Sequence, residues 1–303
     1  MDLAYLRAHP HQLPVLLRHQ RIRETPVPGG SICAASRLTL DDGSSLFAKT
    51  WPGPGPPPAG FFAAEAAGLR WLAAAGAVAV PEVVVELDDL LALAWVSPGP
   101  ATPAAAERFG RELAALHRAG PAEFPGAGAG KRWFGAPWPG FIGRLPQDNA
   151  AGAPPWAGWF AAHRLAPPLR ASADRGALAT ADVALVERVL ARIEQYGGEE
   201  PPARIHGDLW PGNLLWTRER VWLVDPAAHG GHRETDLATL GLFGGAPYAD
   251  RIRSAYQEVW PLAEGWAARV PLHQLHLLLV HTALFGAPWR DAVVAAAEAA
   301  LRG

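Results

Sequence analysis

The segment from His206 to Asp225 constrains this chain more than any other. It reads His206-Gly207-Asp208-Leu209-Trp210-Pro211-Gly212-Asn213, then Leu214-Leu215-Trp216, a polar tetrad Thr217-Arg218-Glu219-Arg220, and Val221-Trp222-Leu223-Val224-Asp225. The apolar runs predict two short strands, and the tetrad predicts the turn that joins them. A hairpin sets the start of its first strand beside the end of its second. Asn213 and Asp225 are therefore expected at one end of it, with Asp208 on the loop just before. Two oxygen-bearing side chains without His or Cys partners suit Mg²⁺ and its attendant phosphates. A further carboxylate outside the metal shell suits the orientation and deprotonation of a hydroxyl.

His-x-Asp, an Asn five residues after the Asp, a hairpin and then a second Asp is the layout of a kinase catalytic loop and metal-binding segment. The alternative is a polar loop that only caps a buried hairpin. His206 is expected to orient the loop by hydrogen bonds rather than to carry protons. Phosphoryl transfer also needs phosphate-binding backbone, a cation, and a group that holds the cation. Gly29-Gly30-Ser31 lies between two predicted strands and offers backbone N–H groups. Lysine is scarce, occurring only at positions 49 and 131, and Lys49 ends the next strand. In the helix that follows, Phe61, Glu65, Gly68, Leu69 and Leu72 share one face. A carboxylate on that apolar stripe is costly without a partner. Either Lys49 pairs with Glu65 from the neighbouring strand, or Glu65 sits at the stripe's edge and reaches water. Ala94-Trp95-Val96, where the strand pattern ends, is placed to meet an adenine ring.

The chain has 303 residues, half of them apolar and 18% charged, which is ample for a packed core. The formal net charge of −2 excludes a global basic field for nucleic acid. A single cysteine excludes a disulfide framework and any multi-Cys metal site. No apolar run reaches membrane-spanning length, since Leu275 to Trp289 is cut by His276, His281, Gly286 and Pro288. Met1 to Leu17 lacks a basic start and a cleavage site, which points to a cytoplasmic protein. Strand patterns fill the first hundred residues: Arg21 to Val27, Ser31 to Leu40, Ser45 to Lys49, Val78 to Leu87 and Leu90 to Val96. Asp41-Asp42-Gly43 makes a hairpin turn among them. Beyond Ser97-Pro98-Gly99-Pro100 helices dominate. One starts at Pro103 with Thr102 as its cap, and two more are expected at Pro155 to Ala171 and Thr180 to Tyr196. The expectation is an α+β bilobal fold, with a small antiparallel-sheet lobe at 1–97 and a larger helical lobe at 98–303. Pro121 to Pro155 is expected to wrap the surface.

With these residues placed, the chain resembles the fructosamine (ketosamine) kinases, in the aminoglycoside-phosphotransferase-like branch of the protein-kinase-like fold. HGDLWPGN at 206–213 is similar to that family's HGDLWxGN. Gly241 to Gly245 and His232 to Ala238 also fit, with weaker matches at Gly29 to Ala35, Phe141 to Gly143 and Leu284 to Gly286. The resemblance implies Asp208 as catalytic base, Asn213 and Asp225 as Mg²⁺ ligands, and Lys49, held by Glu65, on the phosphates of ATP. It implies Ala94 to Val96 as the nucleotide hinge. The implied substrate is a small-molecule or protein-bound glycated amine, phosphorylated on its sugar 3-hydroxyl as a repair reaction. Relatives tend to carry aromatic residues after the metal Asp-Pro, whereas Pro226 here is followed by Ala227, Ala228 and His229. Rival readings are a kinase for another hydroxyl, of aminoglycoside or choline type, and a nucleotide-binding pseudokinase.

Other residues carry smaller expectations. Asp236 should bond the catalytic loop. Trp210 is either core or a face for a sugar ring. Trp133, Phe134 and Trp138 either pack a long loop or touch substrate. His229 and His232 near Asp225 lack the further ligand that a zinc centre needs. Cys33 is either a small buried residue or a thiol whose oxidation closes the nucleotide site, making a redox-sensitive dimer of an otherwise monomeric protein. Gly126, Gly128 and Gly130 before Lys131 mimic a phosphate loop but lack its spacing and its Ser or Thr.

Overall fold

The computed structural model describes residues 21–121 and 133–303. The N-terminal stretch read for targeting signals and the loop at Gly126–Lys131 lie outside them. In the first lobe, β1 (Ile22–Pro26), β2 (Ala34–Leu40) and β3 (Ser45–Thr50) precede α1 (Phe61–Ala74), and β4 (Val83–Glu86) and β5 (Leu90–Ala94) follow it. The strands form one antiparallel sheet in the order β1-β2-β3-β5-β4. Side chains alternate across it. Leu46 and Ala48 join Leu38, Leu40, Val85 and Ala92 on one face. Phe47 and Lys49 take the other, where Phe62, Ala66 and Leu69 of α1 pack on Leu91 and Leu93. The strand expected from Val78 is shorter than its apolar run. Its first residues turn away to the second lobe, where Ala79 bridges Trp222 and the Leu223 N–H donates to the Ala79 carbonyl at 2.9 Å.

The second lobe opens with α2 (Pro103–Arg118), whose Ala105 N–H donates to the Thr102 hydroxyl at 3.1 Å, the expected cap. A short hairpin, β6 (Gly140–Ile142) and β7 (Leu145–Gln147), corrects the reading of this stretch as surface wrapping, since Phe134 and Ile142 are core residues. Next come α3 (Trp156–Phe160), a π-helical turn at Ala161–Leu165, α4 (Ala166–Asp174) and α5 (Thr180–Leu190). β8 (Ala203–Ile205) leads into the His206–Asn213 loop, β9 (Leu214–Trp216) and β10 (Val221–Leu223) form the hairpin after it, and β11 (His229–Gly231) returns to pair with β8. The chain closes with α6 (Arg233–Thr239), α7 (Ala249–Val259), α8 (Trp266–Phe285) and α9 (Arg290–Arg302). α8 is apolar around most of its circumference, and the fold buries it accordingly, with Leu272, Leu275, Leu277 and Leu279 fully enclosed. Gly110 lets α2 and α7 touch, because a Cβ there would lie 2.2 Å from the Ile252 carbonyl oxygen. Among the described residues no helix is long and apolar enough to cross a membrane.

Candidate active site

The lobes enclose a cavity of about 670 Å³. The first lobe lines it with Gly29, Gly30, Ser31, Lys49, Glu65, Ala94, Trp95 and Val96, and the second with Asp208, Asn213 and Asp225. Every residue singled out in the sequence for nucleotide, metal or proton chemistry therefore meets the same space. Gly29 and Gly30 adopt left-handed backbone, with φ of 113° and 77°, so the loop turns between β1 and β2 without side chains in the way.

Lys49 sits between two carboxylates. Its Nζ donates to Glu65 Oε1 at 2.8 Å and to Asp225 Oδ1. Burial alone would pull the ammonium down, but the charges of Asp225 and Glu65 outweigh it and hold Lys49 above its ordinary range. The pairing depends on how closely α1 approaches the second lobe. Gly68, one turn beyond Glu65, faces Ala228 and Pro226, and a Cβ there would lie 3.2 Å from the Ala228 methyl. The helix stripe read from the sequence thus packs on the segment just after Asp225.

The catalytic loop is held from behind. Asp236 accepts from the His206 N–H at 2.7 Å and the Gly207 N–H at 2.9 Å, and its Oδ2 also meets His117 Nε2 at 3.2 Å. His206 Nδ1 accepts from the Asp208 N–H at 3.3 Å, so its proton sits on Nε2, which donates to the Val224 carbonyl at 2.9 Å. This ring ties the loop to the residue between β10 and Asp225. Gly207 is left-handed (φ 79°), and a Cβ there would lie 2.3 Å from the Ala227 carbonyl oxygen, so only glycine fits. Asn213 Nδ2 donates to the Asp208 carbonyl at 2.8 Å and to Asp208 Oδ2 at 3.0 Å. Burial, then the charge of Asp225, pushes the Asp208 carboxyl well above the usual range.

A family model described as fructosamine kinase matches residues 14–302. The chain belongs to the fructosamine kinase family. It is 37% identical over 231 residues to a protein of Thermus thermophilus named as a probable ketoamine kinase, covering 76% of this chain and 79% of that one. A solved structure described as a candidate fructosamine-3-kinase from Thermobifida fusca superposes with a TM-score of 0.85 at 50% identity, over 93% of this chain and 95% of its own. A macrolide 2'-phosphotransferase from Brachybacterium faecium shares the fold at 20% identity, with a TM-score of 0.56 over 96% and 97% of the two chains.

A divalent cation fits the donors this fructosamine kinase family member presents. Asn213 spends its amide nitrogen on Asp208 and keeps its oxygen, and Asp225 commits one oxygen to Lys49 while its side chain stays 43% exposed. Hard oxygen donors open to the cavity suit Mg²⁺ rather than a softer ion. Asp225 holds a left-handed backbone (φ 56°), a conformation that a non-glycine residue adopts at some cost and that recurs at functional sites. His229, His232 and Asp225 do not bring their potential ligand atoms together. Among the described residues, His232, Glu234 and His273 do cluster tightly. Glu234, however, is bound through both oxygens to Arg269 at 2.7 and 2.8 Å, and His232 meets the Gly198 carbonyl and the Glu234 N–H.

Some of the site was not legible in the sequence. The far wall of the cavity is aromatic, made of Trp210, Phe243, His281, Phe285 and Trp289. Phe243, left-handed at φ 52°, meets Trp210, His281 and Trp289 with centroids 5.6, 4.5 and 5.1 Å away. His281 Nδ1–H donates to the Leu277 carbonyl at 2.8 Å, which leaves Nε2 as an acceptor. In sequence these residues stand on four separate segments, and His281 read only as an interruption of an apolar run. Trp210 is thus part of this wall, Trp138 lines the cavity, and Phe134 is core. Cys33 lines the cavity too, where burial pushes its thiol up to about 11 and keeps it protonated at neutral pH.

Proposed function

We propose that this protein transfers the γ-phosphoryl group of ATP to the 3-hydroxyl of a ketosamine, the sugar adduct of an amine, and so begins the removal of that adduct. The observation that carries the reading is the convergence of Lys49, Glu65, Asp208, Asn213 and Asp225 on one cavity in a chain of the fructosamine kinase family. On this reading the first lobe, to residue 97, holds nucleotide, and the second, from residue 98, holds acceptor and catalytic groups. The Trp95 N–H is bound to the Ser45 carbonyl and the Ala94 N–H to that of Glu82. Of the three linker residues, Val96 is then the one to meet the purine edge. Lys49 neutralises phosphate charge, and Glu65 keeps it aimed. Mg²⁺ on Asn213 and Asp225 would neutralise charge on the transferring group. Asp208, positioned by Asn213 and the backbone of its own loop, accepts the hydroxyl proton. Most of the rate then comes from positioning and preorganised charge.

The lining also bears on the acceptor. Among the described residues its carboxylates are Glu65, Asp208 and Asp225, all assigned to the proposed phosphoryl-transfer constellation. A polycationic aminoglycoside would find no uncommitted carboxylate in this lining. A polyhydroxylated ring with one amine fits the aromatic far wall, because C–H faces stack on indole and phenyl planes. Ala227 and Ala228 line the cavity just after Asp225 with small side chains. The deciding experiment is transfer of labelled phosphate from ATP to fructosyl- and ribulosyl-lysine, alongside an aminoglycoside and choline. A product phosphorylated at O3 of the ketosamine is expected. Transfer to choline or an aminoglycoside instead would overturn the substrate assignment. Thermal stabilisation by ATP without turnover would return the pseudokinase reading.

A further inference from the structure

Arg164 is fully buried, yet among the described residues none of its hydrogen-bond partners is a carboxylate. Nη1 donates to the carbonyls of Asp148 at 2.6 Å and His163 at 3.0 Å, Nη2 to Asn149 Oδ1 at 2.7 Å, and Nε to His229 Nε2 at 3.2 Å. The guanidinium lies over the Trp159 ring, 4.4 Å from its centroid. Enclosing a cation without an anion is expensive. Burial, only partly offset by the charge of Asp148, lowers Arg164 to about 9. The Asp148 carboxylate itself faces His163, with its side chain 58% exposed. The residue sits on the π-helical turn Ala161–Leu165, a departure from α geometry that recurs at functional sites.

What this costly arrangement holds is the wall of the cavity. Asn149 lines the cavity and packs against Gly140, where a Cβ would lie 2.6 Å from the Asn149 amide nitrogen. His229 accepts from Arg164 on Nε2, so its proton is on Nδ1, which donates to the Ala227 carbonyl at 2.8 Å. That same carbonyl presses on Gly207, the residue before Asp208. Ala227 lines the cavity, while Arg164 does not touch it.

We propose that Arg164 is a positioning residue for the acceptor side of the active site. Its fork binds Asn149 directly and Ala227 through His229, and so keeps the acceptor wall in register with the loop that carries Asp208. The inference rests on the reading of the cavity as a phosphoryl-transfer site. It explains why His229 follows the Asp-Pro-Ala-Ala stretch: the ring must accept on one nitrogen and donate on the other. An ammonium at position 164 keeps the charge but cannot span four acceptors.

The test measures R164K, H229Q and H229L by steady-state kinetics with whichever hydroxyl compound the wild-type enzyme phosphorylates, and by calorimetric titration with MgATP. For R164K, kcat/KM for the acceptor should fall roughly tenfold to hundredfold, while the dissociation constant for MgATP stays within about twofold of wild type. H229Q supplies an amide oxygen to Arg164 and an N–H to Ala227, so it should retain most of the acceptor kcat/KM that H229L loses. If R164K does not fold, the contrast between the two His229 variants decides. Unchanged acceptor kinetics in R164K, an equal loss of MgATP affinity, or equal behaviour of H229Q and H229L would overturn the proposal. A wild-type enzyme that ignores ketosamines but phosphorylates another hydroxyl overturns the substrate assignment and leaves this test intact. Absence of any transfer overturns the reading on which both stand.

Discussion

On the proposed function Asp208 carries two opposed demands. As the proposed base it must be ionised, yet its surroundings favour the protonated form, chiefly through burial and then through the charge of Asp225. A carboxylate raised in this way costs stability progressively as pH rises above its unfolded-state value, and the cost is complete once the pH exceeds the folded-state value. D208N removes both the base and the cost. Phosphoryl transfer should drop by about 10²–10⁴-fold, while the melting temperature of the ligand-free protein at neutral pH should rise by a few degrees. Activity assays and calorimetric melts of the pair check this, and a variant both inactive and less stable would count against the assigned environment. Such a trade of stability for function is common at active sites. Asp208, Asn213 and Asp225 were legible as a set because a hairpin makes their proximity a matter of local geometry. His117 was not, because it meets Asp236 from α2, 119 residues earlier, and nothing local to a lone histidine announces a distant partner.

At the scale of elements, α1 decides whether the lobes cooperate. Gly68 forfeits about 1 kcal/mol of helix propensity relative to alanine, and the contact with Ala228 shows what the glycine allows. G68A should be close to neutral, since the propensity gain offsets a tight methyl contact. G68L should cost about 1–3 kcal/mol by overpacking and should raise KM for ATP by moving Glu65 off Lys49. Urea melts and nucleotide kinetics on the two variants check this, and an unaltered KM in G68L would refute the coupling. The α2 cap makes a more local prediction. T102A should lose about 1 kcal/mol without altering catalysis, because the Thr102 hydroxyl serves Ala105 and the Arg218 carbonyl outside the cavity. The amphipathic stripe of α1 and the cap and proline of α2 were readable because each signal spans one turn. The β8–β11 ladder was not, because three residues per strand, ending in Gly230-Gly231, carry no period for a reader to detect.

Across the whole molecule, several histidines are stored neutral in the second lobe. Burial first, with neighbouring positive charge second, lowers His276 to about 3, and burial likewise takes His232 to about 3. His229 and His273 move in the same direction for the same primary reason. In the unfolded chain these rings take up protons near pH 6.5. Their contribution to stability is therefore fully present above that value. It is lost as pH falls toward the depressed folded values, at up to about 1.4 kcal/mol per pH unit for each ring. The urea midpoint should drop between about pH 7 and about pH 5, and H276Q should show a shallower drop from a lower start. A midpoint independent of pH would contradict the buried, neutral state of these rings.

The sequence alone determined the family and the outline. Strand and helix periods are local, so the sheet-rich first lobe, the helical second lobe and the hairpin with its three polar groups could be read in order along the chain. Family membership followed from the same motifs. Tertiary structure decided what lines the rest of the cavity. The aromatic far wall, the Arg164 fork and the Asp236 brace join residues tens to more than a hundred positions apart. Their juxtaposition is a property of helix packing, in which each side chain's role depends on which distant surface its element is pressed against.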